Sequence, residues 1–158
     1  MKSAQRDWSL LQQSLQQDTE TSQQLLQLMR DERKALESRN YGAFEALLQP
    51  KQTLIAKLEQ HAQQRHEWMV QQRFASDSAA LSQAHEEAPH IAAQWQNAAD
   101  IWRECQTQNQ INEQICRRTR TVVEQVLDAL RGQHQHSAVY DAKGLAQRGA
   151  SGRTISNA

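Results

Sequence analysis

Apolar residues recur at steps of three and four over three stretches of the chain. The first stretch carries Trp8, Leu11, Leu15, Asp18, Ser22, Leu25, Met29, Glu32 and Leu36. No Gly or Pro interrupts it between about Ser3 and Ser38, so the spacing predicts one long helix with a single buried stripe. Asn40-Tyr41-Gly42 reads as a turn. The second stripe follows as Phe44, Leu48, Lys51, Ile55, Leu58, Ala62, Arg65 and Met69. Pro50 lies within it and is expected to kink or restart the helix, because proline lacks a backbone donor and clashes with the preceding turn. A connection this short makes the first two helices an antiparallel hairpin.

Residues 74 to 89 read as a connection containing a short helix, capped by Asp77 or Ser78 and running to about Glu87. Pro89 suits the first turn of the next helix. That third long helix is expected from about His90 to Arg131, with the stripe Ile91, Trp95, Ala98, Trp102, Cys105, Asn109, Asn112, Cys116, Thr119, Val123, Val126 and Leu130. Gly132 is a natural stop. Residues 133–158 are rich in Gly, Ser, Gln and His and read as a mobile tail. The fold class is therefore all-α: an elongated antiparallel helical bundle or coiled coil of three long helices plus a short connecting helix, with a flexible C-terminal tail. The corresponding domains are a bundle over 1–132 and a tail over 133–158.

Polar residues inside the stripes predict the register. A hairpin folded about residues 41 and 42 sets Leu25 against Leu58 and Leu36 against Leu47. The same fold sets Glu32 against Lys51 and Asp18 against Arg65. Each acidic interruption of one stripe then meets a basic interruption of the other, as a buried charge requires.

Composition narrows the class. Apolar residues make up 38% of the chain and aromatics 5%, with a mean hydropathy of −0.85. So thin an apolar supply fits a narrow bundle better than a multilayered globule. The formal net charge is zero, which gives no electrostatic reason to expect nucleic acid. No stretch approaches the roughly 20 apolar residues of a membrane span, so no membrane insertion is expected. The first residues lack the apolar core of a signal peptide, and the cytosol is the expected compartment.

The search for chemistry finds no catalytic constellation, no metal site and no cofactor motif. His61 and His66 diverge on a helix, and the histidines read as solvated surface residues. Glu87-Ala-Pro-His90 has the Glu-x-x-His spacing of di-iron bundles but occurs once, where such a site needs two copies and further glutamates. Cys105 and Cys116 are three turns apart on one helix and cannot bridge; they read as small buried residues. Trp8, Trp68, Trp95 and Trp102 read as core. Asn109 and Asn112 either set register or line a groove that a partner helix closes. Arg117, Arg118 and Arg120 form a basic cluster that reads as a solvated face.

Several segments resemble the FlgN family of flagellar export chaperones. Leu25-Leu-Gln-Leu-Met-Arg-Asp-Glu-Arg-Lys-Ala-Leu36 is similar to that family's Leu/Glu-rich element. Asn40, Phe44, Leu47, Leu48, Lys51, Leu54, Ile55 and Leu58 are similar to its next one. Asn109-Gln-Ile-Asn112 and Tyr140-Asp-Ala-Lys-Gly144 resemble its Asn-rich stretch and its tail motif. The resemblance implies a cytosolic chaperone that holds the hook-associated subunits FlgK and FlgL and delivers them to the export gate protein FlhA. It implies client contact on the segment from Ile111 to Leu130 and export-receptor docking at Tyr140.

The residues are compatible with that implication. Ile111, Ile115, Val122 and Leu127 flank the Val123, Val126 and Leu130 stripe and widen the apolar face of the last helix, which leaves a groove for a guest helix. Two other readings stay open: the face packs on the first two helices or in a homodimer, and Tyr140 is an ordinary tail residue. A generic helical-bundle adaptor and a sensor or metal-binding four-helix bundle are the competing functional classes.

Overall fold

The computed structural model describes residues 6–151, with side chains through residue 132. Among the described residues there are four helices and no strand: α1 Ser9–Glu37, α2 Tyr41–Gln71, α3 Asp77–Glu87 and α4 Pro89–Ser151. The chain divides into two units, Met1–Ile115 and Cys116–Ala158.

Local chemistry sets the helix ends. α1 begins later than Ser3: Asp7 Oδ1 accepts hydrogen bonds from the Ser9 backbone N–H at 3.0 Å and the Ser9 hydroxyl at 2.7 Å. These bonds hold the Asp7 carboxyl below its ordinary pKa. At the other end Arg39 takes a left-handed φ of 55°. Its N–H reaches Leu36 O, and the Asn40 N–H reaches Ala35 O at 2.8 Å. These are the two crossed bonds of a Schellman ending. Asn40 then caps α2 by accepting from Ala43 N at 3.1 Å. The turn is thus residues 38 to 40, and Gly42 already lies in the first turn of α2.

The same ending recurs after α2. Arg73 has φ 62°, with Arg73 N–H to Val70 O and Phe74 N–H to Met69 O, both at 3.0 Å. Phe74 and Met69 both pack against the core, supplying the apolar contact that accompanies this motif. Ser76, not Asp77 or Ser78, caps α3 by accepting from Ala79 N at 3.1 Å. α4 starts at Pro89 as expected.

Neither expected interruption ends a helix. α2 runs through Pro50 without restarting. α4 continues past Gly132, which lacks the positive φ that a glycine-terminated helix uses. The expected tail over 133–158, Tyr140 included, lies outside the residues whose side chains are described.

In the first unit, all nine members of the α1 stripe are buried. The α2 seam differs from the expected one. Its inward-facing residues are Phe44, Leu47, Lys51, Leu54, Leu58, His61, Arg65 and Trp68, while Leu48 and Ile55 are exposed. Both sets share Phe44, Lys51, Leu58 and Arg65 and differ only in the order of the three- and four-residue steps. Periodicity alone does not separate them.

One core cluster gathers residues from all four helices: Trp8, Leu11 and Leu15 of or beside α1, Trp68 of α2, Ala80 and Ala84 of α3, and Ile91 and Trp95 of α4. Trp8, Trp68 and Phe74 form an aromatic corner with ring centroids 5.4 to 6.0 Å apart. Trp8 Nε1 donates to Glu87 at 3.1 Å, and the Arg6 guanidinium lies 4.4 Å over the Phe74 ring. α3 has 11 residues, below the length at which an isolated helix is stable. Its fully buried alanines let it approach closely, so tertiary packing keeps it helical. A second cluster joins Leu25, Leu26, Met29 and Cys105, with Leu54, Leu58 and Ile101 packed against it.

The expected charge pairs form, and each is larger than a pair. Asp18 accepts from Arg65 and lies 2.7 Å from His61 Nδ1. The Arg65 guanidinium sits 5.1 Å over the Trp102 ring of α4. His61 is therefore no surface histidine: it joins a buried carboxylate that already has a cation. Glu32 Oε2 accepts from Lys51 at 3.0 Å and from Asn112 Nδ2 at 3.1 Å. Lys51 also donates to Asn109 Oδ1 at 3.1 Å, and Asn112 Nδ2 to Met29 O at 2.8 Å. The side chains of Asp18 and Glu32 are each 1% exposed. The residue numbers of Asp18 and Arg65 sum to the same value as those of Glu32 and Lys51, as a straight antiparallel hairpin requires. Cys105 donates to Ser22 O at 3.4 Å, and this pair has the same sequence separation as Asn112 and Met29. Within the first unit α4 therefore runs parallel to α1.

Two predictions follow from these contacts. Lys51→Met leaves Glu32 buried without a cation and lowers unfolding free energy in urea by about 3 kcal/mol. The double variant Glu32→Met with Lys51→Met recovers most of that loss. Arg39→Gly relieves the left-handed backbone and raises stability by roughly 0.5–1 kcal/mol, read as a higher Tm.

Candidate partner-binding surface

The apolar residues singled out on α4 fall into two groups. Ile111 and Ile115 belong to the first unit and are half-buried. Val122, Val123, Val126, Leu127 and Leu130 belong to the second unit, where each is between 45% and 56% exposed. At roughly 100° per residue these five occupy an arc of about 140° on one side of the helix, in the order Val122, Val126, Leu130, Val123, Leu127.

Along the α4 stripe, burial changes partway. Ile91, Trp95, Ala98, Cys105 and Asn112 are buried, whereas Val123, Val126 and Leu130 are exposed. Exposed single apolar residues are ordinary on a surface; a contiguous arc of five branched aliphatic side chains is not. Full burial of such a side chain is worth about 1.5–3 kcal/mol, so completing the burial of five half-exposed ones contributes roughly 5 kcal/mol. Association costs about 4–15 kcal/mol in lost freedom. By this arithmetic such an arc would not hold a partner tightly without further contacts.

Asn109 and Asn112 were open between register and groove. Asn112 is buried against Glu32 and the Met29 carbonyl, and Asn109 bonds to Lys51. Both therefore serve register within the first unit. The Lys51 hub was not legible as a three-helix feature, because Asn109 and Asn112 come from a distant helix; the His61–Asp18 contact was not legible because the expected α2 seam ran through Ala62 instead of His61. The only sequence signal was the polar interruption of an apolar stripe.

A second exposed apolar row runs along α2 in the first unit, with Tyr41, Leu48 and Ile55 at seven-residue spacing. It consists partly of residues expected in the core.

The cysteines of the first and second units sit in unreactive settings or outside any cluster of chemistry-bearing side chains among the described residues. Burial pushes the Cys105 thiol above its ordinary pKa, reinforced by the charge of Glu104 and opposed by Arg30, so the thiol stays protonated and inert. Cys116 is half-buried, and neither cysteine forms a disulfide. Among the described residues no three His, Cys, Asp or Glu side chains converge to hold a metal ion. No described helix is long and apolar enough to cross a membrane.

Comparison with known proteins adds one finding. The FlgN protein family matches the chain over residues 9–148, which takes in all of α1, α2 and α3, α4 as far as residue 148, and Tyr140. Neither a curated protein nor a solved structure matches the chain. With a match over nearly its whole length, and with the helical bundle that the family requires, this chain belongs to the FlgN family of flagellar export chaperones.

Proposed function

We propose that this chaperone holds hook-associated junction subunits of the FlgK and FlgL type in the cytosol and hands them to the export gate through FlhA. The observation that supports this reading is the exposed aliphatic arc of α4, Val122, Val123, Val126, Leu127 and Leu130. A subunit awaiting export must keep its sticky terminal helices from associating early. An amphipathic helix laid in an apolar groove is the usual way to cover such a surface, with anchors at helical spacing. Ile111 and Ile115 extend the candidate client-binding set toward the first unit. The low apolar content of the chain agrees with a host bundle that its client completes.

Tyr140 is the proposed docking point for the export receptor. Its support is the family motif and its isolation in a polar segment. A tyrosine in such a setting offers one large ring with a hydrogen-bonding tip.

Two measurements test the reading. Val126→Asp with Leu130→Asp, in a variant whose circular dichroism and melting match the parent, reduces binding of FlgK-type and FlgL-type subunits by at least about 100-fold in calorimetry, as loss of central apolar anchors does. Unchanged affinity defeats the surface assignment. Tyr140→Ala leaves client affinity unchanged and weakens docking to the cytoplasmic domain of FlhA; equal docking by variant and parent defeats the second role.

A further inference from the structure

We infer that the occupant of the α4 arc is an amphipathic protein helix bearing acidic residues along its edges, because within residues 116–132 the charged side chains nearest both edges of the arc are arginines. This rests on the reading of the arc as the client surface and adds the charge pattern of the client. Taking Val122 as the origin of the helical wheel, Arg118 falls at about −40°, just outside one edge, and Arg120 and Arg131 at about 160° and 180°, just outside the other. The acidic residues of the same segment, Glu124 and Asp128, fall at about 200° and 240°, roughly 20° and 60° beyond Arg131.

The rim arginines are exposed and available for exchange. Arg120 bonds to Glu124 at 2.9 Å, with side chains 82% and 58% exposed. Arg131 lies 4.0 Å from Asp128. Exposed pairs within one helix are worth only about 0.3–0.5 kcal/mol. A carboxylate brought in beside the arc, where docking excludes water, makes a stronger bond to the same guanidinium. Rim charges of this kind act mainly on encounter and on partner choice.

The observations favour a protein helix over the other occupants. Helices that lie on anionic membranes carry aromatic anchors in the apolar face and a strongly basic polar face. Residues 116–132 contain no Trp, Tyr, Phe or Lys, and Glu124 and Asp128 offset half the charge of their four arginines. Two copies of this chain pairing arc to arc bring arginine rim against arginine rim, which like-charge repulsion opposes. A client helix with acidic edges has neither defect.

The test measures binding of a purified FlgK-type subunit to the full-length parent, to Arg118→Glu, to Arg118→Gln with Arg120→Gln, and to Val126→Asp, at 50 and 300 mM NaCl. Circular dichroism checks that each variant remains helical. The expected result is a parent affinity that falls about tenfold between the two salts, as screening of rim charges requires. Arg118→Glu is weaker by roughly fivefold or more at low salt, mainly through slower association, and nearly matches the parent at high salt. The double Gln variant shows a smaller loss of the same sign. If Val126→Asp abolishes binding while both arginine variants bind like the parent at both salts, the acidic-edge inference is overturned and the arc stands as the client surface. If Val126→Asp binds like the parent, the surface reading itself fails, and the inference with it. Capture of the parent by phosphatidylglycerol vesicles, lost in Arg118→Glu without change in subunit binding, overturns it in favour of a membrane. A dimer in sedimentation that Val126→Asp disrupts and Arg118→Glu strengthens overturns it in favour of a second copy.

Discussion

Asp18 and Glu32 are carboxylates buried to 1% exposure in the middle of an apolar stripe. An ion taken out of water costs several kcal/mol unless its partners are fully in place. For Asp18 those partners are Arg65 and His61 of α2; for Glu32 they are Lys51 of α2 and Asn112 of α4. A slip of the hairpin by one helical turn separates both acids from their cations at once. Apolar contacts among Leu25, Met29, Leu54 and Leu58 tolerate such a slip far better, since one aliphatic side chain replaces another with little loss. The two polar hubs therefore decide how α1 and α2 align, and through Asn109 and Asn112 they also decide where α4 lies in the first unit.

Specifying a bundle by charge rather than by mass of core suits a chain with so little apolar material. Its largest cluster is capped by α3, whose buried residues are mostly alanines. Close approach replaces bulk there, and Schellman endings at Arg39 and Arg73 direct the chain into tight turns without a glycine at either position. What apolar surface remains is not all spent on the host. Five branched aliphatic residues of α4 stay half-exposed in the second unit. The proposed function gives that surplus a role, since on that reading the client, and not the host chain, covers it.

Much of this was legible in the residues. The α1 stripe, the antiparallel hairpin, the pairing of Glu32 with Lys51 and of Asp18 with Arg65, Pro89 at the start of α4 and the burial of Cys105 all follow from spacing and from the cost of a lone buried charge. The α2 seam did not. Starting from Phe44, a step of four then three and a step of three then four fit equally well, and only contact with α1 and α4 selects Leu47, Leu54 and His61 over Leu48, Ile55 and Ala62. The candidate surface was legible as an apolar widening of the last helix, but not its extent of exposure, since periodicity marks a face without telling whether anything covers it.

The sequence by itself determined the helices, the hairpin and its charge-matched register, because each depends on residues within one helix or on one pair of facing stripes. Tertiary structure decided which side of α2 turns inward, that His61 enters the Asp18 hub, that Asn109 and Asn112 close the Lys51–Glu32 hub, and that Val122 to Leu130 remain uncovered. Each depends on contacts or their absence in three dimensions, and no local spacing encodes what an element from a distant part of the chain covers.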